Sequence, residues 1–405
     1  MTKIRLLVLL LTFIVVGGIG TLVFLYAQGY RLDQKTLEFS PNGLFVIKSV
    51  PDSAQVIVNG ELKTATNATV ALLPATYDIM VKKDGYRTWS KRITIEKEVV
   101  SEATAYLFKS APSLSPVTFF PSFNPVPSSD FTKISYIIPP DPTASTSSDR
   151  SGLWIIDMVN LPLGFARDPR RVTDGDLTAA TWSFSPDNRE ILLKTKTGLY
   201  LLATNTFTPQ TELINIAAKE KETNSVWQEE RQKRTEIQLR KLPDEIEDIF
   251  ARKVAKISFS PDEDLILYTA STSATLEENL VKPLPGSSYQ RQERDIKAGR
   301  VYIYDIKEDR NFLIDEEASS LDIEAGAFSE ALRRISWFPT SRHLILAEPN
   351  KITIMDYDGT NRQEVYAGSY VAPHAYPALT TDRIIILTNL GANTSPPNLY
   401  SLSLK

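Results

Sequence analysis

The chain has two histidines, His343 in SRHLIL and His374 in APHAYP, and no cysteine. The lack of cysteine excludes thiol catalysis, disulfides and cysteine-ligated zinc together. A histidine zinc site or a hydroxyl–imidazole–carboxylate triad would have to use His343 or His374. Neither has a partner at a metal-binding spacing such as HExxH, and no GxSxG elbow, Walker loop or glycine-rich dinucleotide loop occurs. His343 falls at a turn and His374 just before a strand pattern, so both are expected to be exposed or to pack.

Carboxylates offer a second set. SFSPDNREIL at 183–192 reappears as SFSPDEDLIL at 258–267, which puts Asp187 and Asp262 in equivalent places. DYDGTN, from Asp356 to Asn361, invites calcium, but an EF-hand loop needs Gly at position 6 and Glu at position 12. Here Gly359 stands at position 4 and Ala367 at position 12, so a turn explains it better, as it does TDGDL at 173–177. The remaining candidates would bind, not react. Trp227, Arg231, Arg234 and Ile237 lie in a charge-dense stretch, 219–241, that could dock a partner helix or another copy. The alternative for that stretch is a solvated surface helix.

The elements that hold these residues repeat. Five copies align: VPSSDFTKISYII at 126, FSPDNREILLKT at 184, FSPDEDLILYTA at 259, FPTSRHLILAEP at 338 and YPALTTDRIIILT at 376. In that alignment Ser129, Thr340 and Leu379 stand where Asp187 and Asp262 do, replacements that a ligand would not survive and a turn would. A second strand follows each copy (GLWIIDM, GLYLLAT, GRVYIYDI, KITIMDY, NLYSLSL), and the first four add a more polar third: RRVTDG, QTELIN, RNFLID and RQEVYA. The pattern predicts four-stranded antiparallel blades repeated around an axis. LSPVTFF at 114–120 is predicted to supply the outer strand that the last copy lacks. Residues 216–253 break the repeat; Ile246, Ile249 and Phe250 at helical spacing behind Pro243 predict a helical arm. The polar stretch 273–299, with KPLPGSS, reads as a long loop.

Composition bounds the rest. At 405 residues, 42% hydrophobic and a net charge of −4, the chain has room for ordinary cores and carries no field that draws nucleic acid. Lys3 and Arg5 precede an uncharged run from Leu6 to Gln28, long enough to span a bilayer. The cations favour a cytoplasmic amino end with the bulk of the chain outside. Tyr26 and Tyr30 would sit at the headgroups. Ala27-Gln28-Gly29 would suit a signal peptidase, although the run exceeds a signal peptide's usual apolar length, so an uncleaved anchor at 1–30 and a stalk at 31–42 are expected.

Residues 43–110 read as six or so short strands with an Asn59-Gly60 hairpin signal, predicting a small antiparallel sandwich. Ser49-Val50-Pro51 with Ala54, Val56-Ile57-Val58-Asn59-Gly60, Leu73-Pro74 leading to Tyr77, and Asp84-Gly85-Tyr86 with Trp89 together resemble the PEGA domain. The name-giving tetrapeptide reads Pro51-Asp52-Ser53-Ala54 here and the usual Pro-Gly reads Pro74-Ala75; both lose a Gly, so those turns are expected to accept any residue. From about 113 to 405 the chain resembles the TolB-type β-propeller, whose blades carry a Ser-Pro-Asp-Gly turn. The order anchor, PEGA module, propeller also resembles membrane-anchored proteins of candidate-phyla bacteria.

These features imply a mainly β chain and a membrane-anchored, extracytoplasmic binding or scaffold protein without cofactors, presenting a surface to envelope proteins or glycans. The competing reading is a hydrolase or lyase with carboxylates from different blades meeting in the central funnel.

Overall fold

The computed structural model describes residues 2–27, 30–32, 39–141, 149–158, 168–282, 290–392 and 394–405. Part of the stalk (33–38), the small residues at 28–29 and residues 283–289 of the long loop lie outside the described residues. The chain divides into two compact units, which meet in sequence between Leu107 and Phe108.

The first unit begins with helix α1, Thr2–Ala27. Its 26 residues rise about 39 Å, enough for a hydrocarbon core of about 30 Å. Among the described residues the window Leu7–Phe24 is 0% buried, and Phe13 is 78% exposed. Two sheets follow. One runs in the order Glu61–Ala65, Gln55–Val58, Ala75–Lys82, Trp89–Ile95; the other in the order Ala68–Leu72, Gly43–Val50, Val100–Tyr106. Alternate residues point inward, so Phe45, Ile47, Val56, Val81, Trp89 and Ile95 share one core. Asn59 and Gly60 both have positive φ, as a two-residue I′ hairpin needs.

Two expectations change. Gly43–Val50 pairs with Val100–Tyr106 in parallel, so the sandwich is not purely antiparallel. Ser53 keeps φ at 57°, so that turn still demands the left-handed region and has merely lost the residue that adopts it freely. Ala75 is not among the positive-φ residues, and its turn does accept a side chain.

In the second unit, five larger sheets built on antiparallel hairpins follow one another among the described residues, each holding one sequence repeat. The first is Phe123–Pro127, Lys133–Ile138, Gly152–Asp157, Arg170–Asp174. In the fifth, Ser113–Pro116 pairs with Asn398–Ser403, so the chain entering the unit supplies the outer strand of its last sheet. That closure, with each sheet a meander from inner to outer strand, makes the unit a β-propeller. Hydrogen bonds join neighbouring sheets: Trp182 Nε1 donates to Ser135 Oγ at 2.7 Å, Trp337 Nε1 to the Ser258 carbonyl at 3.1 Å, and the Tyr376 hydroxyl to the Pro125 carbonyl at 2.7 Å.

The second sheet departs from the pattern: it has three strands, Thr181–Phe184, Glu190–Lys194 and Leu199–Ala203. QTELIN forms no fourth strand. Pro209 starts a 3₁₀ turn at Gln210–Glu212, and Asn215 turns its side-chain oxygen onto the Ala217 and Leu199 amides. The arm takes the vacated flank: Ile216 N bonds the Leu199 carbonyl and Trp227 packs on Leu192 and Leu199. The arm is helix α2, Glu220–Leu239, then α3, Asp244–Lys253, broken at Pro243. The long loop is not wholly irregular, since Ala274–Thr275 pairs with Asp295–Ile296.

Candidate functional site

The repeated carboxylates are turn residues. Ser185 Oγ donates to Asp187 Oδ1 at 2.6 Å and accepts from the Glu190 amide at 2.9 Å, while the Asn188 amide bonds the Ser185 carbonyl. Ser260, Asp262 and Leu265 repeat the arrangement, and so do Ser128, Asp130 and Lys133. The equivalent of Asp187 in the first sheet is therefore Asp130, not Ser129. In the fifth sheet the Ala378 N to Arg383 carbonyl bond places Thr380, not Leu379, there. The series is Asp130, Asp187, Asp262, Thr340, Thr380. Matching Val126 and Tyr376 to Phe184 shifts the register of those two sheets by one. Hydrogen bonds from Ser185 and Arg189 hold Asp187 below the ordinary carboxylate range, as suits a cap.

The next turn position has positive φ in four sheets: Phe131 (54°), Asn188 (58°), Glu263 (60°) and Ser341 (58°). Glycine would relieve strain there, but three of these side chains reach elsewhere. Asn188 Oδ1 accepts from the Ser129 amide and hydroxyl in the first sheet, and Ser341 Oγ accepts from the Asp262 amide in the third. Glu263 accepts from Gln238 and Lys241 of the arm, at 2.7 and 2.6 Å.

The histidines are structural. Thr340 Oγ1, His343 and Asp356 line up in the order of a triad, at 2.7 and 3.4 Å, but His343 is 3% exposed and Asp356 6%, so no substrate reaches them. His374 Nδ1 is 2.6 Å from the Tyr376 hydroxyl. That hydroxyl spends its one proton on Pro125, so His374 must donate and is the Nδ1–H tautomer.

Surrounding protein, and then the Arg334 guanidinium, push His374 down to about 3. Because the folded value lies below the ordinary 6.5, this group stabilises the fold fully above 6.5 and progressively less as pH falls toward 3. Asp305, raised to about 6 by burial and then by Glu308, acts in the opposite direction between its ordinary value and 6. His374→Asn should keep a donor near Nδ1 and lose the titration. Its stability relative to the parent is expected to rise by about 1 kcal/mol for each pH unit below 6.5, measured by chemical denaturation at pH 7.0, 5.5 and 4.5. A constant difference across that range would refute the assignment.

The axis is occupied by the chain itself. Between the third and fourth sheets the connection adds Leu321–Asp322 in parallel to Arg333–Arg334. It then reaches the inner strands of the first two sheets, with Gly326 N on the Pro127 carbonyl, Phe184 N on the Gly326 carbonyl and Phe328 N on the Trp182 carbonyl. Gly326 has φ of 96° at this crossing, a conformation few side chains tolerate. Asp322, the buried acid on the crossing segment, is bound to Arg334 at 2.8 Å, with Lys256 at 3.9 Å.

The arm's four candidate residues separate. Trp227 is 7% exposed; Arg231 lies 6.0 Å from its ring and reaches the Phe184 carbonyl; Arg234 donates to the Pro186 carbonyl at 2.7 Å and to Glu230. These three face the propeller. Ile237 is 63% exposed, and Val226, at 55%, lies three turns before it on the same face.

A cleft that no motif announced lies between the first and fifth sheets. It has a volume of about 660 Å³, and its floor is Tyr136, Ile138, Ile156, Met158 and Ile385, each at most 8% exposed. A strap after Ser113–Pro116 forms one wall, pinned where Thr118 Oγ1 accepts from the Leu399 amide at 2.9 Å and from Ser122. The strap presents Phe119, 80% exposed, and Phe120, 40% exposed. The Arg150 guanidinium lies 4.3 Å over the Phe120 ring, and the Arg150 carbonyl accepts from Trp154 Nε1. Only the exposed Phe119-Phe120 pair could have hinted at this site, and it could equally have been a lone surface patch.

Residues 42–110 match the family model of the PEGA domain. No curated protein matches the chain. Among solved structures it is similar to TolB from Acinetobacter baumannii, at 11% identity over 81% of this chain and 60% of that one, with a TM-score of 0.22. It is also similar to the β-propeller domain of the Trilobed protease from Pyrococcus furiosus (11% identity, 90% and 96% covered, TM-score 0.21). A third is the β-propeller domain of Cps50 (Swd1) from Myceliophteria thermophila (9% identity, 73% and 100% covered, TM-score 0.31). At such scores the superpositions are loose, and the propeller assignment rests on strand order and ring closure.

Proposed function

We propose that the chain is a membrane-tethered binding protein. Helix α1 is the tether, the PEGA domain is a spacer or envelope-binding unit, and the propeller presents the interaction surface outside the cytoplasm to an envelope protein or glycan. The observation that carries the tether is α1 itself, whose apolar window Leu7–Phe24 is 0% buried among the described residues and would be satisfied by lipid. The cleft beside exposed aromatics supports the binding half. Catalysis in the funnel has less support, since Asp322 is neutralised by Arg334 and the connection crosses the axis.

After carbonate washing of native membranes the chain should stay in the pellet, and protease added outside intact cells should digest the propeller. Recovery in the soluble fraction would remove the tether. Partner capture should compare the full chain with Ile237→Glu, which alters the arm's exposed face. Deleting 216–253 would not serve, because Ile246 and Phe250 belong to the third sheet's core.

A further inference from the structure

We infer that the cleft between the first and fifth sheets binds a short apolar peptide segment bearing a carboxylate. The inference rests on the reading of the propeller as a binding module. Four of the five floor residues, Ile138, Ile156, Met158 and Ile385, offer no hydrogen bonds and Tyr136 alone carries a hydroxyl, so a pyranose would leave most of its hydroxyls unpaired against the floor, whereas aliphatic or aromatic side chains would not. The volume suits two or three such side chains. Phe119 stands in water at the mouth, poised to gain by being covered.

Charge selects the acid. Two of the cleft's charged groups are already neutralised: Asp157 by Arg170 at 2.5 Å and Arg383 by Asp382 at 3.0 Å. Arg150 has no carboxylate within 4.0 Å among the described residues, and its guanidinium, 4.3 Å from the Phe120 ring centre, has N–H donors to offer an anion. Asp168, the other charge lining the cleft, is exposed and can accept a peptide N–H.

The test uses the full-length chain in detergent micelles and two probes, acetyl-Leu-Phe-Leu with a free carboxylate and the same peptide amidated, titrated calorimetrically. The acid should bind roughly tenfold tighter than the amide. Arg150→Gln should bring the acid to the amide's affinity, and Ser115→Trp, which fills the cleft from an exposed position, should abolish both. Binding of neither peptide, or binding that survives Ser115→Trp, would overturn the inference. So would chitotetraose binding that Ser115→Trp removes, since it would assign the cleft to a glycan. If peptides fail while the full chain still captures envelope proteins with or without Ser115→Trp, the cleft inference falls and the binding-module reading stands.

Discussion

Phe250→Ala should destabilise the propeller by about 4 kcal/mol, as expected for truncating a fully buried phenylalanine. Phe250 belongs to the arm, yet it is 1% exposed, with its ring 4.6 Å from that of Tyr268 and 5.9 Å from that of Tyr304. Ile246, one turn earlier, is 0% exposed in the same cluster. Together they cover a row of tyrosines on the third sheet that would otherwise face water. Ile237→Ala, on the same arm but exposed, should change stability by no more than about 0.5 kcal/mol. Urea denaturation of both variants settles the matter. A loss below about 1 kcal/mol for Phe250→Ala would mean that the arm is an appendage and not part of the propeller's core.

The second large effect is expected at the axis. Arg334 is 4% exposed and Asp322 6%, so neither charge is solvated. Arg334→Met leaves Asp322 with Lys256 at 3.9 Å as its nearest cation and should cost about 3 to 5 kcal/mol. Adding Asp322→Leu should return most of that loss, because removing both charges also removes their desolvation. A double variant as unstable as the single one would show that the guanidinium matters through its packing on Tyr376, 5.5 Å from the ring, and not through its charge.

The sequence announced the repeats because each first hairpin reuses one turn, and the turn's Ser, Pro and Asp are adjacent in the chain. It misplaced the register in two sheets, since Ser129 and Leu379 hold the turn position that proline fills in the other three. It predicted the arm from Ile246, Ile249 and Phe250 but could not show what they bury against, because Tyr268 and Tyr304 come from strands that read as ordinary. Trp227 reads as a docking residue when its partners, Leu192 and Leu199, are out of sight. The axial ion pair stayed hidden because Asp322 meets Arg334 only through a parallel pairing closed by an irregular connection, and the cleft because it joins residues from two separate sheets; no spacing rule reports either encounter.

The pairing of Ser113–Pro116 with Asn398–Ser403 sets an order on biogenesis. A ribosome delivers helix α1 and the PEGA domain first, and the first four sheets can form as they emerge. The fifth sheet must wait for its third strand before Ser113–Pro116 has anything to pair with. Until then the nascent ring stays open, with two unsatisfied strand edges, and a cell making this protein in quantity would need chaperones at that moment.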